Sequence, residues 1–234
     1  MIRLKNIKIR ENLNEEQVFK KAISKNKIKP EEVEKWYIYK KSIDARKKYD
    51  IFYNYTIDVQ LKNKKKETKF EQVEINKFPS INVNRKSNYQ PVIIGAGPAG
   101  LFAGLIMVDN GVKPIIIERG KQIEERIKDV EELIQNRKFN ITSNIQFGEG
   151  GAGTFSDGKL NTGNSSNAYT RKVLEEFVKF GAPKEILYTA KPHIGTDNLR
   201  NVVKNIREYV ISKGGQVLFN EQVTDFEIKD GKIK

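Results

Sequence analysis

The sequence predicts an α/β fold: a parallel sheet with covering helices, preceded by a small α+β domain. Three observations predict it. Short apolar segments at Val92–Ile94 and Pro114–Ile117 alternate with stretches of helical spacing, the order that builds a parallel sheet. Upstream, Tyr49 to Leu61 places an apolar or aromatic residue at every second position, the period of a strand with one buried face. The charge is uneven as well. Of a net +13, residues 1–86 hold 23 Lys+Arg against 12 Asp+Glu, and residues 87–234 hold 20 against 18. That shift sets a boundary near Asn82–Gln90, within the polar stretch INVNRKSNYQ. The expected domains are therefore a basic α+β module over 1–86 and an α/β domain over 87–234.

In the first domain, Ile2 to Arg10 reads as a strand with a phase slip between Leu4 and Ile7. Asn14 is placed to cap a helix over Glu15 to Lys25, with Val18, Ala22 and Ile23 on its apolar face. Trp36 to Arg46 is the next strand, and Lys47-Lys48 makes the turn into the last. On that last strand Tyr49, Ile51, Tyr53, Tyr55, Ile57, Val59 and Leu61 share one face.

In the second domain, Ala99 to Asn110 is an apolar helix ended by Gly111. After the Pro114–Ile117 strand, Ile123, Ile127, Val130 and Ile134 follow helical spacing. Tyr169 to Phe180 is a helix ended by Gly181. Thr196 is placed to cap another, with Leu199, Val202, Val203, Ile206 and Val210 inward. Gln216 to Asn220 is a strand. Thr224–Ile228 and the residues from Lys232 flank Asp230-Gly231, a hairpin turn signal.

Composition excludes several chemistries. With no cysteine there is no disulfide, no thiolate nucleophile and no cysteine-ligated metal. The N-terminus MIRLKNIKIR mixes charge with apolar residues and is no signal peptide. The longest apolar run, Leu101 to Val108, is far below the roughly 20 residues of a membrane span. The expected location is cytoplasmic, with no membrane partner.

The segment VIIGAGPAGL carries the chemistry. Gly95-x-Gly97-x-x-Gly100 lies between a strand and a helix, the context that a dinucleotide loop requires. Gly95 permits the turn, Gly97 lets a pyrophosphate approach the backbone, and Gly100 lets the helix lie close to the sheet. Phosphates then meet free amides at the helix N-terminus. Glu118 follows 23 residues after Gly95, where an acidic residue accepts hydrogen bonds from a ribose. A carboxylate there disfavours a 2′-phosphate. The alternative is a glycine-rich turn with no ligand, and the motif alone leaves FAD and NAD open. Gly153 to Lys159 nearly spells a phosphate-binding loop, but Leu160 stands where the magnesium-binding hydroxyl belongs.

GAGPAGL followed by IIIERG resembles the FAD-binding start of two-dinucleotide-fold flavoproteins, giving a Rossmann-like expectation for the parallel sheet. QFGEGGAGTFSDGKL (Gln146–Leu160) and KPHIGTDNLRNVV (Lys191–Val203) resemble a bacterial family of largely uncharacterised FAD-dependent dehydrogenases, also labelled NAD/FAD-utilising. The resemblance extends over nearly the whole chain and includes KKSIDARKK (Lys40–Lys48). It implies FAD held at Gly95, Ala96, Gly97, Pro98, Ala99 and Gly100, with Glu118 on the adenosine ribose and Arg119 beside it. It further implies that Gly150, Gly151, Ala152 and Gly153 approach the flavin side and that Val223 lies against adenine. In the resembling flavoproteins a further strand with a second glycine motif follows. The expectation is thus an N-terminal portion of a longer protein, which holds FAD weakly or not at all at this length and does not turn over unaided.

Catalytic residues are not legible. His193, the only histidine, reads as a proton donor or acceptor or as a structural hydrogen-bonding residue. Lys159 reads as a positive charge near reduced flavin or as a loop lysine, and Asp157 as a turn residue. The leading expectation is an FAD-dependent oxidoreductase acting on a small molecule, with NAD(P)H as a redox partner. The alternative is a non-catalytic nucleic-acid- or partner-binding protein with FAD as a structural or redox-sensing element. It draws on the basic first domain, whose Trp36, Tyr37, Tyr39, Tyr49, Phe52, Tyr53 and Tyr55 are either stacking residues or a small packed core.

Overall fold

Backbone pairing sorts most strands into two sheets of opposite kind. The computed structural model describes residues 1–75, 77–81, 83, 89–160, 167–230 and 232–233. In chain order the elements are β1 (Ile2–Ile9), α1 (Glu15–Lys25), β2 (Val33–Asp44), β3 (Phe52–Leu61), the short α2 (Lys64–Glu67), β4 (Val92–Ile94), α3 (Pro98–Asp109), β5 (Ile115–Glu118), α4 (Ile123–Asn136), α5 (Ala168–Lys179), α6 (Thr196–Ser212), β6 (Gln216–Phe219), β7 (Ile228–Lys229) and β8 (Lys232–Ile233). The architecture is mixed α/β. The chain divides into two compact units, 1–78 with 160–178 and 183–193, and 79–159 with 179–182 and 194–234. Most of 160–193, which charge and pattern assign to the second domain, joins the first unit.

In the first unit the strands pair antiparallel in the order β1-β3-β2. Asn14 forms a full capping box at the start of α1. Its side chain accepts from the Gln17 N–H at 2.9 Å, and the Gln17 side chain accepts from the Asn14 N–H at 3.1 Å. The slip in β1 is real: the register shifts between Leu4 and Ile7, and Asn6 adopts φ 58°. This bulge returns Ile7 and Ile9 to the buried side. There they join Val18, Ala22, Ile23, Tyr55, Ile57, Val59 and Leu61 in one core, and Phe19 stacks on Trp36 at 4.4 Å. One expectation is corrected. Tyr49 and Ile51 are exposed and precede β3. The Lys47–Asp50 turn occupies that stretch, and pairing with β2 begins only at Phe52, opposite Asp44. On the other strand edge, the Lys41 N–H donates to the Tyr188 carbonyl at 2.6 Å, and the Lys41 carbonyl accepts from Ala190 at 2.9 Å. These bonds tie residues 183–193 to β2.

In the second unit β4, β5 and β6 form a parallel sheet in that order. Ile93, Ile116 and Val217 point to one face, against α3 and α6. A Cβ on Gly104 of α3 would lie 2.7 Å from the Ile116 Cδ1, so that glycine lets the helix rest on the sheet. Val202, Val203, Ile206 and Val210 of α6 are buried. The opposite face is more exposed. Val92 is 55% exposed, Ile94 56% and Leu218 41%, so the described helices cover one side. Helix α4 departs from expectation. Ile123 and Val130 are buried, but Ile134 is 70% exposed, and Arg126 takes a fully buried place on the same face. Thr196 is the first residue of α6, not its cap; Gly195 occupies the cap position. The hairpin β7-β8 turns through Asp230 at φ 53°; Gly231 and most of the expected 82–90 linker lie outside the described residues.

Candidate functional site

The turn from β4 into α3 contains the glycine motif. Gly95 leaves the strand at φ 98°, a conformation that only glycine adopts without strain, and its N–H donates to the Ile117 carbonyl at 2.7 Å. Gly97 is the helix N-cap and offers no side-chain cap; Pro98 is the first helical residue. The Leu101 N–H makes the first intrahelical bond, to the Gly97 carbonyl at 3.0 Å. The first-turn amides of Ala99 and Gly100 therefore have no intrahelical acceptor. A Cβ on Gly100 would lie 1.9 Å from the Gly95 carbonyl oxygen, whereas a Cβ on Gly97 would meet no atom within 4 Å. Gly100 closes the turn, and the space over Gly97 is open. An anion entering that space meets main-chain N–H groups and the positive end of a 12-residue helix.

Glu118 ends β5 and its buried carboxylate faces this loop. Oε2 accepts from the Ala96 N–H at 2.7 Å, and Oε1 accepts from the Gly120 N–H at 2.8 Å. Each oxygen keeps a second lone-pair site, so a sugar diol can still be received. Arg119 lies with its guanidinium 4.1 Å from the centroid of the Phe147 ring.

The second glycine segment flanks the first. The Gly150 N–H donates to the Ala96 carbonyl at 2.8 Å. A Cβ on Gly151 would lie 3.2 Å from the Pro98 Cδ. Ala152 and Gly153 begin a 3₁₀ turn, Ala152–Phe155. The chain after β6 also reaches the site, through Asn220 N–H to the Gly120 carbonyl and Glu221 N–H to the Glu118 carbonyl, each at 3.1 Å. Val223 is half-buried two residues further on. The structure thus brings together Gly95–Gly100, Glu118 and Gly150–Gly151. His193 is exposed and belongs to the first unit; the glycine segments and Glu118 belong to the second. Lys159 is exposed and pairs with Asp157 at 2.6 Å, which raises its ammonium above the ordinary range.

Three buried charges of the site were missed in the sequence. Arg126 donates to the carbonyls of Asn144, Ile145, Gly148, Glu149 and Gly151. Glu149 accepts from the Ile123 N–H at 2.7 Å and from the Arg207 Nη1 at 2.9 Å. Burial pushes its carboxyl up to about 7. Arg207 also grips Glu124 through both carboxylate oxygens, at 3.0 and 2.7 Å, and holds it down to about 2. One signal was available. Arg126 falls between Ile123 and Val130 on the apolar stripe of α4, where a charge needs buried partners.

In the basic first unit Trp36 and Tyr55 are engaged in the core. The Arg3 guanidinium lies 3.4 Å from the Tyr39 ring centroid and forms two bonds of 2.7 Å with Asp58. Among the described residues no helix is long and apolar enough to cross a membrane, and no His, Asp and Glu cluster is arranged to hold a metal.

Residues 1–60 match a family model described as "Domain of unknown function (DUF8436)". The whole chain is similar to an "Uncharacterized protein" of Clostridium beijerinckii (strain ATCC 51743 / NCIMB 8052), at 41% identity over 242 residues. The alignment takes in 100% of this chain and 45% of that protein. The chain therefore spans under half the length of the curated relative it matches.

Proposed function

We propose that the second unit is the dinucleotide-binding part of a Rossmann-like FAD-dependent oxidoreductase of the dehydrogenase type. The observation that carries this reading is the corner where the buried Glu118 carboxylate meets the Ala96 amide beside the open surface of Gly97. Gly95–Gly100 would hold the diphosphate, Glu118 the adenosine ribose, Gly150 and Gly151 the adjoining wall, and Val223 the adenine. The residues present fit such a group: main-chain donors for the anion, a carboxylate for the diol, and, among the described residues, no side chain over Gly97. When bound, the flavin supplies the electron and hydride chemistry; this chain's residues bind and orient it. The substrate is a small molecule, and NAD(P)H is the proposed redox partner. The relative is more than twice the aligned length, and turnover is proposed for the whole protein.

The test is bound cofactor by mass and visible absorbance in the native protein, followed by FAD titration. Gly97→Val should abolish binding by filling the open space, and Glu118→Gln should weaken it by about tenfold, the loss expected for one charge-assisted hydrogen-bond acceptor. A native protein that binds no FAD, or a Gly97→Val variant that binds it normally, sinks the reading.

The charge excess of residues 1–86 favours one second reading, a nucleic-acid- or partner-binding protein with FAD as a structural or redox-sensing element. A gel shift of the same protein over a salt series separates the two. Strong salt-dependent retardation supports the second reading. No shift, together with flavin reduction by NADH, supports the enzyme.

A further inference from the structure

Arg126 is 0% exposed, yet among the described residues none of its contacts is an ion pair. Burial pulls its guanidinium down to about 10, so it remains charged at neutral pH. Its charge is met at hydrogen-bond distance by peptide dipoles, with the Glu118 and Glu149 carboxylates acting from further away. Nε donates to the Asn144 carbonyl at 2.8 Å and Nη2 to the Ile145 carbonyl at 2.9 Å. The two hydrogens of Nη1 are shared among the carbonyls of Gly148, Glu149 and Gly151 at 3.3, 2.6 and 2.9 Å. The Phe155 ring lies 4.6 Å from the guanidinium carbon. These acceptors belong to one segment, residues 144–151, which wraps around a single planar group.

The wrapping is close. Gly148 adopts φ 118°, and a Cβ there would lie 2.6 Å from the Arg126 Cδ. The same segment continues to the dinucleotide loop, through the Gly150 N–H on the Ala96 carbonyl and the packing of Gly151 against Pro98. The segment has no strand or α-helix of its own. Within it the Asn144 N–H reaches the Phe147 carbonyl and the Gly151 N–H the Gly148 carbonyl, each at 3.0 Å, and one side chain, Arg126, supplies donors to five of its carbonyls.

We infer that Arg126 is the positioning residue of the cofactor trough: its five guanidinium–carbonyl bonds set the course of residues 144–151 and thereby hold Gly150 and Gly151 against the Ala96–Pro98 loop. This rests on the flavin-binding reading above for its functional consequence, not for its structural content. Arginine suits the task because its fork carries five N–H donors in fixed directions. A lysine in the same place keeps the charge but has three donors on one atom and cannot reach carbonyls on several sides.

The experiment compares Arg126→Lys and Arg126→Met with the wild-type protein, at a temperature where all three are fully folded. FAD affinity should fall by about tenfold or more in both variants, since a pre-organised wall is lost. Amide exchange of Glu149, Gly150 and Gly151 should quicken by a similar factor, while that of α3 and β5 stays unchanged. A purely structural loss would instead quicken exchange across the whole unit. Arg126→Lys that binds FAD within about twofold of wild type and leaves these amides protected would overturn the inference, because charge alone would then suffice. If the wild-type protein binds no FAD, the flavin reading fails, yet the exchange data still decide the role of Arg126. Should neither variant fold, wild-type exchange decides it. Amides of Glu149 to Gly151 as slow as those of α4 support the inference, and exchange at the rate of an open loop overturns it.

Discussion

The antiparallel sheet β1-β3-β2 keeps Ile2, Leu4, Ile57 and Val59 out of water, whereas the parallel sheet β4-β5-β6 leaves Val92, Ile94 and Leu218 substantially exposed. The first unit is held chiefly by apolar side chains in register, with α1 laid across them, a capping box to start it and the buried Asp58 bound by Arg3 on β1. The second is held on one face by helices that approach through Gly100 and Gly104. Around residues 144–151 it is also held by buried charges: Glu149 with Arg207, and Arg126 with five carbonyls. Apolar packing spreads stability over many weak contacts. A buried charge concentrates it in a few, because an ion that loses its partner stays desolvated. The open space over Gly97 belongs to the unit organised in the second way.

The comparison can be broken by removing one member of each set. Arg207→Met strands the fully buried Glu149 and frees Glu124, and should cost the second unit about 3–5 kcal/mol in a urea melt. A loss under about 1 kcal/mol would show that the pair is dispensable. Ile57→Ala in the first unit removes a fully buried side chain and should cost about 3 kcal/mol, through transfer and cavity terms.

A pH series sharpens the contrast. Burial lifts the Glu149 carboxyl from 4.5 to about 7, so the folded state holds its proton longer than the unfolded chain does. The contribution is whole below the ordinary carboxyl range and is lost as pH rises through about 7. Stability of the second unit should therefore fall by about 2 kcal/mol between about pH 5 and about pH 8. Glu149→Gln should flatten that slope, and an unchanged slope would assign it to another group. The smallest effect belongs to the open sheet face. Val92→Thr with Ile94→Thr should change stability by less than about 0.5 kcal/mol per site, because both side chains are already more than half in water. A cost of about 2 kcal/mol or more would mean that this face is covered in solution.

Much of the first unit was legible because its signals are local. The Asn14–Gln17 capping box, the slip between Leu4 and Ile7 and the alternation through Tyr55, Ile57 and Val59 each involve residues a few positions apart. The same holds for the glycine motif, whose three positions answer to one turn and one helix start. Tyr49 and Ile51 misled because alternation continues into a turn that ends pairing, and pairing depends on where β2 stops.

The amino-acid order by itself determined the parallel sheet, the glycine turn and the acid at Glu118, since backbone conformation and one-turn spacing decide these within short stretches of chain. Only the tertiary structure decided that Arg126 points inward to gather residues 144–151, that Glu149 and Arg207 meet across 58 positions of sequence, and that one face of the parallel sheet stands open. The physical reason is common to all three. Whether a charge is solvated or buried, and whether an apolar face is covered, depends on which distant segment lies against it, and no local pattern carries that information.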